Sequence, residues 1–243
     1  MSERLTRWQE QDRESFSRIK KRWHRTLHND TSLNPDIEIC GSLNKENWQQ
    51  DKFGNWILSF PSIYIHDEDG NKLDYQIAVC NDILPSQHPS LINQLTNIAI
   101  GKNTNCEFVG HGTRSWAGKI NYGGTELICL YMNEVDITGI ERLSHMNLLS
   151  IALEENEKLG IPKPIFATTN FFIAPLITSK HNIDLTSINE AENKLNTIRE
   201  KLLINQWNPK VHIDSNPSNY RRIESGMIYN IDPVFRRSMF VFG

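Results

Sequence analysis

Over residues 107–202 the apolar spacing switches repeatedly between two periods, and this limits the possible folds more than any other feature. Glu107-Phe108-Val109 leads into Gly110-His111-Gly112, and Ala117-Gly118-Lys119-Ile120 continues the chain. Tyr122-Gly123-Gly124 has the composition of a turn, and Leu127-Ile128-Cys129-Leu130-Tyr131-Met132 follows as a strand-like run. The spacing then predicts a helix from about Gly139 to Leu159, ended by Pro162 and Pro164. Ile165-Phe166 and Phe171-Phe172-Ile173 read as two further strands. Ile188, Ala191, Leu195, Ile198 and Leu202 form one face of a second helix. The order is strand, strand, strand, helix, strand, strand, helix, so the expected fold class is α+β.

The first hundred residues carry structure signals but no recognisable chemistry. Leu5, Trp8, Phe16, Ile19, Trp23 and Leu27 make one stripe of an amphipathic helix over about residues 3–28. Its far face carries Arg18, Lys20, Lys21, Arg22 and Arg25. Such a helix docks by its Trp-rich stripe, or serves a membrane surface or a partner protein. Ile63 and Ile65 run toward Asp69-Gly70, and Leu73, Tyr75, Ile77 and Val79 alternate beyond it, which predicts a β-hairpin within 55–80. Leu91, Leu95 and Ile98 predict a short helix after Pro85 and Pro89.

Composition excludes some classes. With 26 basic and 29 acidic residues the net charge is −3, so the strongly basic chain typical of general nucleic-acid binding is excluded and no DNA partner is expected. No apolar run is long enough for a membrane helix, and with Met1-Ser2-Glu3-Arg4 at the start and no apolar stretch after it a Sec-type leader is not expected. Cys40, Cys80, Cys106 and Cys129 are scattered without metal-ligand spacing, as expected of reduced thiols in a cytosol-like compartment.

The chemistry concentrates near the end of the chain. His212-Ile213-Asp214-Ser215-Asn216-Pro217-Ser218-Asn219 is followed thirteen residues beyond Asn219 by Asp232, in Ile231-Asp232-Pro233. Phosphoryl transfer needs a carboxylate near the attacking hydroxyl and hard oxygen ligands for Mg²⁺. Asp214, Asn219 and Asp232 supply that set if a hairpin over Tyr220–Ile231, turning at Gly226, brings them together.

Over roughly residues 105–243 the sequence resembles the protein kinase superfamily. His212-x-Asp214-x4-Asn219 matches the catalytic-loop pattern HxDxxxxN, and Ile231-Asp232-Pro233 stands where the family has Asp-Phe-Gly. The form is most similar to compact kinases of bacterial effectors and phages. The resemblance implies a two-lobed fold with a truncated C-lobe and an N-terminal extension: 1–104 as extension, 105–178 as N-lobe, 179–243 as minimal C-lobe. It implies ATP and Mg²⁺ as cofactors and transfer of the γ-phosphate to Ser or Thr of a protein substrate. Asp214 would be the catalytic base, Asn219 and Asp232 the metal ligands, and His212 a brace for the loop. Gly110 and Gly112 would open the glycine-rich loop over the phosphates, and Ala117 would cover adenine.

Three departures follow. The family's strand lysine is missing from Leu127–Met132, where Cys129 lies near its place. Lys119, on the same strand face as Ala117, is the nearest replacement, as in the with-no-lysine kinases; otherwise it is a solvated strand lysine. Glu154, beside Glu155, is the expected helix glutamate. The third loop glycine is replaced by the stretch Arg114-Ser115-Trp116. Eleven residues follow Asp232 (233–243), where larger kinases have an activation loop and a peptide-docking platform. Either other surfaces recognise the substrate, or residues 1–100 fold back to complete the lower lobe; the second is expected, because Trp8, Phe16, Trp23 and the hairpin need an apolar partner. Control by activation-loop phosphorylation is then not expected. The Trp-rich N-terminal region is the expected surface for a host or regulatory protein. Compact kinases of this form occur in the cytoplasm or are passed into host cells by specialised secretion. Two other functions remain open: a pseudokinase that only binds, and a phosphotransferase acting on small molecules.

Overall fold

The computed structural model describes residues 48–58, 63–66, 72–99, 107–111, 115–132, 138–168, 171–179, 182–205, 211–214 and 216–236. The amphipathic helix expected over 3–28 lies outside them. The fold is α+β, dominated by an eight-stranded antiparallel sheet. Its strands are β1 (Trp48–Gln50), β2 (Trp56–Leu58), β5 (Ile77–Val79), β6 (Glu107–His111), β7 (Ser115–Tyr122), β8 (Thr125–Met132), β10 (Phe166–Thr168) and β11 (Phe171–Pro175). They lie in the order β1-β2-β5-β10-β11-β8-β7-β6.

The apolar runs explain why both faces of this sheet are covered. Phe171, Phe172, Ile173 and Ala174 on β11 are all buried, and successive residues point to opposite faces. Phe171 and Ile173 pack with Trp48, Ile77, Val79, Ile92 and Leu95, whereas Phe172 and Ala174 pack with Leu143, Met146, Leu149 and Leu195. On the first face lies helix α1 (Pro89–Ala99), as the Leu91, Leu95 and Ile98 spacing predicts. On the second lie α2 (Gly139–Ala152) and α3 (Leu185–Asn205). The predicted α3 stripe is the buried one, with Ile188, Ala191 and Leu195 in the core and Ile198 and Leu202 packed against it.

The predicted hairpin is present as β3 (Ile63–His66) paired with β4 (Lys72–Tyr75), closing on His66 and Lys72. Residues 67–71, which include Asp69-Gly70, lie outside the described set. The chain then leaves this hairpin and enters the main sheet as β5, between β2 and β10. Of the segment expected to complete a lower lobe, residues 1–47 lie outside the described set, and the described strands β1, β2 and β5 extend the large sheet beyond β10. The reason is pairing: Ile77, Ala78 and Val79 are buried and lie opposite Thr168, Ala167 and Phe166.

Helix α2 ends at Ala152 rather than near Leu159. Past this end the N–H groups of Leu153, Glu154 and Asn156 bond carbonyls three residues back, those of Ser150 (3.2 Å), Ile151 (3.2 Å) and Leu153 (2.8 Å), and the Asn156 side chain then accepts the N–H groups of Lys158 (3.0 Å) and Leu159 (3.1 Å). Leu159–Gly160 becomes strand β9 and runs parallel to a strand of the terminal region, described next. Among the described residues no helix is long and apolar enough to cross a membrane.

Candidate active site

Two small ladders shape the end of the chain. Strand β12 (Val211–Ile213) pairs with β15 (Val234–Arg236), and β13 (Tyr220–Arg222) pairs with β14 (Ile228–Asn230), which also pairs with β9. Gly226 takes φ +84° in the β13–β14 turn, a conformation in which a Cβ would be strained. These pairings carry Asp214, Asn219 and Asp232 to one place. The Asp214 N–H donates to Pro233 O (2.9 Å), the Ile231 N–H donates to Asn219 O (2.8 Å), and Asn219 Nδ2 donates to Asp232 O (3.2 Å).

Asn230, which the sequence reading missed, links the two aspartates. It is fully buried; its Nδ2 donates to Asp214 O (3.3 Å) and its Oδ1 accepts the Asp232 N–H (3.1 Å). The available signal was an amide closing the otherwise apolar run Ile228-Tyr229-Asn230-Ile231. A buried amide is costly unless it is bonded, so such a residue marks a join in the backbone.

The loop between Asp214 and Asn219 is built from local side-chain turns. Asp214 Oδ1 accepts the Asn216 N–H (3.0 Å), and Asn216 Oδ1 accepts both the N–H (3.0 Å) and the hydroxyl (2.9 Å) of Ser218. His212 is half-buried, with its Nδ1 3.4 Å from Arg199 Nη2 of α3. Tyr220, at the start of β13, is buried, and desolvation pushes its phenol up to about 12, so it stays neutral.

Arg142 of α2 is the second residue the sequence reading missed. Its Nη1 is ion-paired with Asp232 Oδ1, and the two side chains are 7% and 29% exposed. The signal lay in the sequence as Thr138-Gly139-Ile140-Glu141, a capping box that fixes where α2 begins. Glu141 N–H donates to Thr138 Oγ1 (3.1 Å) and Thr138 N–H to Glu141 Oε2 (3.0 Å), which sets Arg142 one turn inside the helix.

The remaining candidates stand elsewhere. Lys119 is on the sheet face shared by Ala117, Ile128 and Leu130, but its ammonium bonds Glu126 Oε1 (3.2 Å) and Glu107 Oε2 (3.3 Å). Those two carboxylates raise its pKa, Glu126 most. Glu154 is corrected: it lies in an exposed turn beyond the end of α2, so it is not the carboxylate beside Lys119. Roughly 15 Å of helix separates Arg142 from the last residue of α2. Cys129 points to the opposite sheet face, packed with Ile120 and Ile173. Gly110 sits inside β6 opposite Ala117, after a break in register, and open space surrounds the position of a Cβ. Gly112 lies outside the described residues. Ala117 is half-buried against the core that contains Leu130. Cys80 and Cys129 are buried and form no disulfide, and desolvation raises the Cys80 pKa.

No protein-family model matches the chain, and no curated protein matches it either. Among solved structures, the complex of Rv3197 with erythromycin from Mycobacterium tuberculosis aligns with a TM-score of 0.36 at 10% identity. The alignment covers 55% of this chain and spans about half of that one, 47%. A likeness at this level carries no argument about function.

Proposed function

We propose that the chain is an ATP- and Mg²⁺-dependent phosphotransferase of the protein-kinase type, acting on Ser or Thr hydroxyls of a protein substrate. One observation carries the reading. Asp214, Asn219 and Asp232, separated in sequence, are locked together through Asn230, Pro233 and the two terminal ladders. In this reading α2 and the β6–β8, β10 and β11 part of the sheet form an upper lobe. Helix α3 and the terminal hairpins form a minimal lower lobe, and β1, β2 and β5 are strands added at one end of the large sheet.

The donor set suits Mg²⁺ by its chemistry: the Asp232 carboxylate and the Asn219 amide oxygen are hard ligands, and Asn219 already directs its nitrogen to Asp232 O. When bound, Mg²⁺ would neutralise charge on the β- and γ-phosphates. Asp214 would accept the proton of the substrate hydroxyl as that oxygen bonds the γ-phosphorus and the bond from phosphorus to the β–γ bridging oxygen breaks, with ADP as the leaving group. The backbone bonds of Asp214 to Pro233 and Asn230 hold this base at a fixed distance from the metal ligands. Transfer of label from γ-labelled ATP to added proteins or to the chain itself tests the reading. Wild type is expected to transfer in Mg²⁺ and not in EDTA, and Asp214→Asn to lose about 10²-fold or more. Equal transfer by both proteins, or none by either, defeats it.

A second reading is a pseudokinase, a binding module without turnover. It is favoured by the strand Leu127–Met132, which holds no lysine, and by the Arg142 pair, which occupies an Asp232 oxygen. Binding of Mg-ATP without any transfer of label would select it.

A further inference from the structure

We infer that Asn230, on β14, is a positioning residue of the phosphotransfer site: the donor end of its side-chain amide fixes the Asp214 base against the metal ligands. The inference rests on the proposed function and deepens it, adding a residue that acts on rate and not on nucleotide binding.

A side-chain amide donates and accepts from one rigid plane, which a carboxylate at neutral pH does not do. At Asn230 the two ends have separate tasks. Its Oδ1 accepts the Asp232 N–H two residues on (3.1 Å), a local turn that aspartate or serine also makes. Its Nδ2 reaches sixteen residues back to donate to Asp214 O (3.3 Å). Asp214 is thereby held on both sides of its Cα, because its own N–H donates to Pro233 O (2.9 Å). Both backbone dihedrals of Asp214 lie between these two bonds, so neither turns freely while both are made. With the Pro233 bond alone the residue can pivot and carry its carboxylate away from the reacting hydroxyl. A displacement of about 1 Å at such a group costs on the order of a hundredfold in rate.

The metal side does not depend on Nδ2. Asn219 Nδ2 donates to Asp232 O (3.2 Å), the Ile231 N–H donates to Asn219 O (2.8 Å), and Arg142 pairs with the Asp232 carboxylate. Loss of the Asn230 donor therefore frees the base and leaves the metal ligands in place. Burial keeps the link intact: Asn230 is fully buried, and so is Tyr220, its partner across the β13–β14 ladder, so solvent does not compete for the bond. An apolar side chain would complete this ladder equally well; what the amide adds is the bridge to Asp214.

Two variants of the full chain isolate the donor. Asn230→Ser and Asn230→Asp each keep an oxygen for the Asp232 N–H, but serine is too short to reach Asp214 O and a carboxylate has no donor. Label transfer at saturating Mg-ATP should fall about ten- to a hundredfold in both. By calorimetry, Asn230→Ser should bind Mg-ATP within about threefold of wild type, a loss in kcat and not in binding. In the Asp214→Asn background, where the base is already gone, Asn230→Ser should cost no more than about threefold further. Transfer near the wild-type rate, an affinity loss as large as the rate loss, or losses that multiply in the double variant would overturn the assignment and leave the phosphotransfer reading standing. Failure of both variants to fold would mean that Asn230 serves the fold, which overturns the assignment too. A wild type that transfers no label overturns both.

Discussion

Two cations on the same side of the large sheet, Lys119 and Arg142, live under opposite rules. Lys119 is 32% exposed and held by Glu107 and Glu126 on the neighbouring strands, while Arg142 is 7% exposed and held by Asp232. A surface lysine between two solvated carboxylates is screened and contributes little. A buried arginine must be balanced, and removing its partner strands a charge. The difference shows that burial, rather than strand position, decides how strongly a cation depends on its partners. It also predicts that substitutions around α2 are costly and substitutions around Lys119 are silent.

The largest expected effect is at the start of α2. Gly139→Ala places a methyl group against the backbone oxygens of Thr168 and Phe171, which cannot rotate away. The helix has to shift, at a cost of about 3 kcal/mol. For a chain of this length that lowers the melting temperature by roughly 10 °C, measured by circular dichroism. Gly110→Ala is the contrasting substitution, because open space surrounds its Cβ position. Its melting temperature should stay near wild type, and a fall as large as that of Gly139→Ala would break the contrast.

A smaller effect is expected where the β1–β2 hairpin grips α2. Asn147 and Asn55 are both fully buried, and Asn147 Nδ2 donates to Asn55 Oδ1 (2.9 Å) and to Asn81 Oδ1 (3.3 Å). Asn147→Ala leaves those acceptors in the interior and should cost about 2 kcal/mol in urea unfolding. Lys119→Ala in the same assay should leave the midpoint where it is. Equal losses for the two would mean that the sheet edge and the helix are held alike.

The elements of the second half were legible because their periods are long and clean: the α3 stripe and the β11 run met the core as the spacing predicts. The Asp214, Asn219 and Asp232 set was legible as a spacing, since a hairpin of that length can close on itself. Arg142 and Asn230 were missed for a physical reason. The capping box marks where the helix starts and the apolar run marks the amide, but neither signal names the group that lies opposite in space. Glu154 was misplaced because the helix gives way to tight turns at Leu153 and Glu154, well before the proline signals. The role of residues 48–79 was illegible because three-residue strands carry too little alternation to name their neighbours.

The smallest expected effect extends the comparison to the starts of the two helices on this face. Where α2 carries a buried cation, α3 is preceded by an exposed acid. Asp184 accepts the N–H (2.8 Å) and hydroxyl (2.8 Å) of Ser187 and lies 3.6 Å from Arg222 of β13. The bonds from Ser187, then the Arg222 charge, hold its carboxyl below the ordinary 3.8. A depressed acid contributes stability that is present above the unfolded pKa and is lost as pH falls through the folded one. The window therefore lies below about pH 4. Asp184→Asn keeps an acceptor for the Ser187 N–H and removes only the charge. Its melting temperature should fall slightly at pH 7, and the gap to wild type should close as the pH is lowered through that window. A gap that persists at low pH would mean that Asp184 acts by shape alone. The two helix starts would then differ in packing and not in charge.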